Sequence, residues 1–428
     1  MKFTKMSLVA ALLIGSSAFA IENTKVSGDA NLFYATNDAG KKDLFDKDNS
    51  AADIAVNLNV TTDLVKNDTL SISAGVGYTV LTTLGIENNL VSNVWGTAHG
   101  ATTDTEAAYG KSFGGAKVEN ANWVTEAWVA TTAGKTTVKL GRMELDTPLV
   151  FTEKWSIEKN TFEAAVIVNQ DIPDTTLVGA YVGNGNGTET YGQDVNGTVI
   201  ANDLAVAGVV NEGGQFTTYG TNGAYAVGII NNSVKPLTVQ AWYYDLTRLA
   251  TAYWLQADVN FEGILAGAQY TAQETKESGA KTASTYALML GYEMKDVATI
   301  KVAYSDSNDE GALTAQNTAT SSGASKLYTE AWWNYGYVTK KDTTAWNVTV
   351  EGKVADVDLG AYYTQSNQGT SKGAKDIDMK EFTFTAGKSF GPLDATLAYI
   401  YTDADDLNTK DGKGRDFNTI QAYLTLNF

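Results

Sequence analysis

Apolar and polar residues alternate along most of the chain. In the segment "TLSISAGVGYTV", residues 69–80, the apolar side chains share one face and the polar side chains share the other. A strict period of two predicts a β-strand with one apolar and one polar face. In a soluble sandwich the apolar face of such a strand points to a core, whereas in a membrane barrel it points outward to lipid.

The same alternation recurs in segments that are about as long as a tilted strand crossing a bilayer. Further examples are "DIAVNLNV", "AYWLQADVNF", "EFTFTAGK" and "LDATLAYIYT". Eighteen strands are predicted, and they start near residues 25, 51, 69, 121, 136, 161, 175, 223, 237, 250, 263, 284, 297, 344, 356, 380, 393 and 417. An even number of strands places both chain termini on the same side of the sheet.

The connections between the predicted strands alternate in length. Short links at 63–68, 134–135, 170–174, 232–236, 262–263, 294–296, 355 and 389–392 mostly alternate with longer ones, of which 82–120, 185–222 and 307–343 are the longest. Pro173, Pro236 and Pro392 all fall in short links, where the missing N–H costs no ladder bond. Short periplasmic turns and long external loops are typical of outer-membrane barrels. The predicted fold is therefore all-β: a transmembrane antiparallel β-barrel of about 18 strands.

Both ends of the chain are consistent with export to an outer membrane. Residues 1–20 place Lys2 and Lys5 before a short apolar run and end in Ala18-Phe19-Ala20, which predicts a cleaved signal peptide. Residues 21–428 contain no linker or change of composition, so they are predicted to form a single barrel domain. The final strand "TIQAYLTLNF" ends in Phe428 and resembles the signal that barrel-assembly machinery recognises in Gram-negative bacteria. The alternative is a strand that merely ends in phenylalanine.

Composition limits the chemistry that the chain could perform. His99 is the only histidine and there is no cysteine, so no zinc cluster can form and a hydrolase triad would have to use His99. An enzyme is therefore not expected. The formal charge of −18 becomes −20 once Lys2 and Lys5 are removed, which argues against nucleic acid and favours cations as partners.

Acidic groups cluster in three predicted loops, 43–53, 305–311 and 402–416. Their oxygens could hold a structural calcium ion or bridge lipopolysaccharide phosphates through divalent ions, although none matches a twelve-residue calcium loop. The alternative is solvated loop charge. No cofactor other than this calcium is expected, and the metal ligands are unknown.

The alternation breaks at "VKLGRMELDTP", residues 138–148. Continuing the register would place Arg142 and Glu144 in hydrocarbon, at a cost of about 2–4 kcal/mol for an arginine near the midplane. A β-bulge at Gly141-Arg142 would return Met143 and Leu145 to lipid. It would also turn a set of charged residues toward the lumen, and the segment after Pro148 would then fold inward as a constriction. The predicted constriction residues are Arg142, Glu144, Asp146, Glu153, Lys154, Glu158 and Lys159. The alternative is that the strand leaves the membrane by Arg142 and the charges are solvated at the rim.

The same segment carries a family resemblance. Gly141, Arg142 and Glu144 to Pro148, followed by "NTFEAA" from Asn160, resemble the Opr-type outer-membrane porins and the major outer-membrane porins of epsilon-proteobacteria. The resemblance implies an eighteen-stranded, trimeric diffusion channel whose third external loop folds inward. The glutamate-rich surroundings depart from the family pattern, so a preference for carboxylate substrates is not carried over.

The expected function is a porin for small hydrophilic solutes and ions that prefers cations, with Asp258, Glu351 and Asp358 on predicted inward rows. The alternative is a structural or adhesive surface barrel that acts through its loops. A homotrimer is expected because residues 177–185 and 225–230 are apolar or small on both faces. Packing of the inner face against an inward loop would explain that pattern equally well.

Overall fold

The computed structural model describes residues 22–39, 43–82, 90–91, 93–94, 121–155, 157–187, 192–193, 199–200, 209–220, 222–311, 313–320, 323–369, 378–403 and 416–428. The predicted signal peptide, His99 and most of 82–120 lie outside these residues. Eighteen long strands are described: β1 Glu22–Asn37, β2 Ser50–Lys66, β3 Leu70–Thr82, β4 Ala121–Ala133, β5 Thr136–Met143, β6 Phe162–Asn169, β7 Thr175–Gly185, β8 Ala224–Asn231, β9 Leu237–Leu246, β10 Ala250–Phe261, β11 Ile264–Thr275, β12 Ala283–Met294, β13 Ala298–Ser307, β14 Thr343–Val354, β15 Val357–Gln368, β16 Asp378–Phe390, β17 Leu393–Asp403 and β18 Phe417–Asn427.

The strands form one closed antiparallel barrel. Each long strand pairs with the next along the chain, and β1 pairs with β18 from Asp29 opposite Asn427 to Asn37 opposite Thr419. Two two-residue strands, Asn93–Val94 and Thr217–Thr218, add to the sheet beside β2 and β7. The predicted fold class is confirmed, and every predicted strand start lies within about three residues of the observed one.

The apolar faces of the strands point out of the barrel. In β3 the side chains of Val76 and Tyr78 are 54% and 41% exposed, whereas Thr79 on the other row is 1% exposed. Leu290, on the outer row of β12, is 68% exposed. This inverts the arrangement of a soluble protein, and it suits an outer surface in contact with lipid.

The two ends of the barrel differ in their connections. One end, here called the short-turn end, has turns at 67–69, 134–135, 170–174, 232–236, 262–263, 295–297, 355–356 and 391–392. Glu262-Gly263 and Ala355-Asp356 both have positive φ angles, as two-residue hairpin turns of the primed type require. The other end, the loop end, carries the long loops, apart from the three-residue link 247–249. No helix in the described residues is long and apolar enough to cross a membrane.

Several tyrosines lie on the outer surface of the barrel. Tyr78, Tyr270 and Tyr292 are 41%, 44% and 51% exposed. Tyr304 instead packs against a neighbouring aromatic ring, with its centre 4.6 Å from that of Trp346. Exposure on the outer surface and cross-strand packing therefore both occur among these tyrosines.

The largest apolar cluster lies inside the barrel, on the side of β5–β14. Inward side chains of the wall, including Trp242, Tyr244 and Trp254, pack against Leu149 and Leu327 from two loops that enter the lumen. Residues 144–161 are called the first inward segment, and residues 313–341 the second inward segment. The lumen is thus narrowed on this side.

Candidate functional site: a lumen narrowed by two inward segments

The register of β5 continues without interruption through Arg142. β5 pairs with β4 and β6 without a shift, so the predicted bulge at Gly141-Arg142 is absent. Arg142 therefore stays on the outward row with Leu140. Met143 and Leu145 are buried in the internal cluster, and the expectation that they return to lipid is wrong.

The register shifts occur on neighbouring strands instead. In β4, Thr125 is the extra residue, because Gly77 and Tyr78 of β3 pair with Glu126 and Val124. In β7 the extra residue is Gly183, since the pairing with β6 shifts between Val182 and Asn184. Bulges are therefore present in the two strands that flank β5 and β6.

Arg142 avoids the cost of an unpaired charge through local partners at the outer rim. Its Nε donates to Glu163 Oε1 at 2.8 Å, and its Nη1 donates to the carbonyl of Val124 at 3.0 Å. The guanidinium carbon lies 4.0 Å from the centre of the Phe216 ring. The charge of Arg142 is therefore paired on the outward row without a bulge.

The first inward segment brings alternating charges into the lumen. Lys159 donates to the Glu144 carboxylate, and its Nζ lies 3.6 Å from Glu126 Oε1. Lys139 of β5 faces inward on the same wall, with its Nζ 4.2 Å from the centre of the Trp128 ring. Glu144 and Lys159 line a pocket of about 240 Å³, to which Lys154 also contributes.

Asp146 is highly exposed, with 88% of its side chain accessible. Its carboxylate accepts a hydrogen bond from Lys326 of the second inward segment. Lys154 is exposed, and it pairs through its backbone with Lys159 in a short hairpin. Asp146 thus joins the first inward segment to the second, and Lys154 lies beside Lys159.

Glu153 and Glu158 point into the protein rather than into the passage. Glu153 is 4% exposed and accepts hydrogen bonds from Asn317 Nδ2 at 2.7 Å and Thr320 Oγ1 at 2.8 Å. Glu158 is 1% exposed, and burial raises its pKa to about 8. Of the seven predicted residues, Glu144, Lys154 and Lys159 line the pocket of about 240 Å³, and Asp146 contacts Lys326. Glu153 and Glu158 are buried, and Arg142 lies on the outward row.

The second inward segment was predicted to be an external loop, and its role was missed. Tyr328 N donates to Gln269 Oε1 of β11 at 3.1 Å. On the other side, Asn334 N donates to Glu381 Oε2 of β16 at 2.7 Å. The segment therefore crosses the lumen between β11 and β16. The aromatic run "WWNYGY" at 332–337 was the available signal, because such a run is costly in a solvated loop.

Glu330 holds the second inward segment in its folded form. Its carboxylate accepts hydrogen bonds from the backbone N–H groups of Ser325, Ala331 and Gly336 at 2.6, 3.0 and 3.1 Å. Burial raises the pKa of this carboxyl to about 7, although the three donors oppose the shift. The segment thus contains a carboxyl group that titrates near neutral pH.

The predicted calcium sites gain no geometric support in the described part of the chain. No three acidic or histidine side chains there converge as metal ligands. Residues 404–415 of one acidic cluster lie outside the description. A structural calcium ion stays a prediction.

Solved structures with similar folds exist over almost the whole chain. OpdK of Pseudomonas aeruginosa, solved with vanillate, has 11% sequence identity and a TM-score of 0.67, with 95% of this chain and 99% of that chain covered. OccAB3 of Acinetobacter baumannii has 13% sequence identity and a TM-score of 0.68, with 95% of this chain and 99% of that chain covered. OccK8 (OprE) of P. aeruginosa has 12% sequence identity and a TM-score of 0.65, with 95% of this chain and 98% of that chain covered. No protein-family model and no curated protein sequence matches the chain.

The chain is an eighteen-stranded antiparallel barrel, and its fold is similar to that of the outer-membrane protein OpdK. The neighbours are Occ and Opd channels, so the likeness to Opr-type porins is confirmed for the fold. Specific kinship with the epsilon-proteobacterial porins stays a prediction.

Proposed function

We propose that this protein is a porin of the Gram-negative outer membrane, through which small hydrophilic solutes and ions diffuse passively. The observation that carries the proposal is a barrel with an apolar outer surface and a charged lumen, into which two loops fold. Barrels of sixteen or more strands are wide enough to hold an aqueous channel, and a loop folded inside sets its bore. No chemical step is needed for this function.

The proposed constriction is formed by Glu144, Asp146, Lys154 and Lys159, with Lys326 added from the second inward segment. Glu153 and Glu158 support it from behind, because both are buried in the first inward segment. Cation preference is supported by the formal charge of −18. Nearer the short-turn end, the exposed carboxylates of Glu351 and Asp358 also line the lumen.

Recording from the purified protein in planar bilayers tests the proposal. We expect stepwise insertion of open channels and a reversal potential that indicates cation preference at low salt. Selectivity should weaken as salt rises, because exposed charges are screened over about 8–10 Å at physiological ionic strength. Folded and inserted protein that never conducts would refute the porin function. It would favour a structural or adhesive barrel, for which the filled side of the lumen is the supporting observation.

The proposed partners are outer-membrane lipid, lipopolysaccharide, the barrel-assembly machinery and two further copies of the chain. On the inner faces of β7 and β8, Val178, Ala180 and Ile230 pack against the internal cluster, so these faces need no partner chain. On the outer faces, Tyr181 and Tyr225 are 39% and 55% exposed. A trimer contact there stays a proposal, and crosslinking in native membranes that captures only monomers would contradict it.

A further inference from the structure

A cavity of about 600 Å³ opens at the short-turn end of the lumen, against β12–β17. This volume lies within the about 300–1,000 Å³ of small-molecule sites. Its wall carries hydroxyl groups and carboxylates, with one aromatic ring at the inner end. The lining includes Glu351, Asp358, Tyr362, Thr385 and Thr396.

The Tyr362 ring lies along the barrel wall rather than projecting across the lumen. It covers Gly360, where an added Cβ would come within 2.6 Å of Tyr362 Cε2. Tyr362 Oη donates to Glu351 Oε1 at 2.9 Å, which fixes the ring in this orientation. Glycine at position 360 is therefore what allows a flat aromatic surface on the wall.

A second ring extends this surface into the lumen. The Trp332 ring centre lies 6.3 Å from that of Tyr362, with 32° between the ring planes, and Trp333 continues the series at 6.5 Å. Trp332 is only partly buried. The second inward segment and the wall of β15 thus present neighbouring aromatic rings beside the cavity.

Charges around the cavity disfavour anions. Its lining contains four carboxylates, Glu293, Asp296, Glu351 and Asp358, but only one ammonium group, that of Lys353. Lys353 Nζ is 3.2 Å from Asp358 Oδ1, and Lys301 lies 3.8 Å from Glu351. The carboxylate oxygens are therefore fixed hydrogen-bond acceptors next to an aromatic surface.

We propose that this cavity, with Tyr362 and Trp332, is a binding site for a neutral carbohydrate on its way through the channel. The apolar C–H face of a pyranose ring would lie on the aromatic rings, while its hydroxyl groups would donate to Glu351 and Asp358 and accept from Thr385. The inference rests on the proposed porin function, and it names one class of solute for that channel.

Maltose titration of the single-channel current tests the site. We expect maltose to block the wild-type channel and sorbitol, which has no ring, to block it far less. Trp332→Ala should raise the half-blocking concentration about tenfold, equivalent to about 1.4 kcal/mol. The matched control is Trp346→Ala, because Trp346 is on the outer surface and 50% exposed; the half-blocking concentration should stay unchanged.

A second variant leaves the second inward segment intact. Gly360→Val forces the Tyr362 ring off the wall and should also raise the half-blocking concentration of maltose. A conducting wild-type channel that maltose does not block would overturn the inference and leave the porin function standing. Stronger block by benzoate or by tetramethylammonium than by maltose would overturn it too. Failure to conduct at all would instead refute the porin function.

Discussion

Replacing Glu153 with glutamine removes one charge from the contact between the two inward segments. The Glu153 carboxylate, in the first segment, accepts hydrogen bonds from Asn317 Nδ2, Thr320 Oγ1 and Ala324 N in the second, at 2.7, 2.8 and 3.2 Å. The Ala324 N–H also lies 3.2 Å from the other carboxylate oxygen. A glutamine side chain would therefore place its own N–H₂ group against a donor or give up one of these bonds.

The magnitude follows from the number of donors. A hydrogen bond to a charged group contributes about 1.5–3 kcal/mol, and one between neutral groups about 0.5–1.5 kcal/mol. Each bond is therefore weakened by about 1 kcal/mol when the acceptor at position 153 loses its charge. Three donors give about 3 kcal/mol, provided that the losses add. That is about a hundredfold increase in the fraction of molecules whose second segment has left the lumen wall.

Single-channel recording measures this change directly. We expect Glu153→Gln to show a second, larger conductance level, or longer visits to one, because an undocked segment widens the passage. The matched control is Glu262→Gln in an exposed short turn, which should leave the current unchanged. An unchanged current in the Glu153 variant, with folding verified, would show that Glu153 does not hold the segments together.

Three further results are expected. The pKa of Glu330 is raised to about 7 by burial in the docked segment from an ordinary value of 4.5, so protonation favours docking. This stabilisation of the docked segment is fully present below about pH 4.5 and is lost as pH rises through about 7. Conductance should therefore increase between about pH 5 and 8, and Glu330→Gln should flatten the dependence of conductance on pH. Asp146→Asn should reduce cation preference in low-salt reversal potentials, whereas Asp68→Asn in an exposed turn should not, and equal shifts would contradict a constriction at Asp146. A cysteine at Glu277 in a loop should react with an impermeant reagent on intact cells, and one at Pro236 should not; the reverse pattern would invert the topology.

Strand positions were predictable because the alternation that defines them is local. β3 needs only its own residues to separate an apolar face from a polar one, and Pro236 and Pro392 mark turns where the ladder needs no donor. The direction of the faces came from wider sequence context: the alternation of link lengths, the predicted signal peptide and the terminal phenylalanine. The exposed Val76 and Tyr78 confirm that direction.

The position of Arg142 could not be decided locally. A bulge can turn a charged side chain from the outward row to the lumen, or an oppositely charged partner can neutralise it on the outward row. Both arrangements are compatible with the same sequence. The structure uses Glu163, which is 21 positions further along the chain, together with the Phe216 ring. Strand pairing brings Glu163 beside Arg142, and the connection between β7 and β8 brings the Phe216 ring.

By itself, the sequence determined the eighteen strands, the alternation of their two faces and the short turns, because each depends on neighbours within a few residues. The tertiary structure alone decided that the second inward segment also enters the lumen. Glu153 and Asn317 are 164 positions apart, and Asn334 meets Glu381 from another strand 47 positions away. Such contacts leave no periodic trace in the sequence, because they form only once the barrel has closed around both segments.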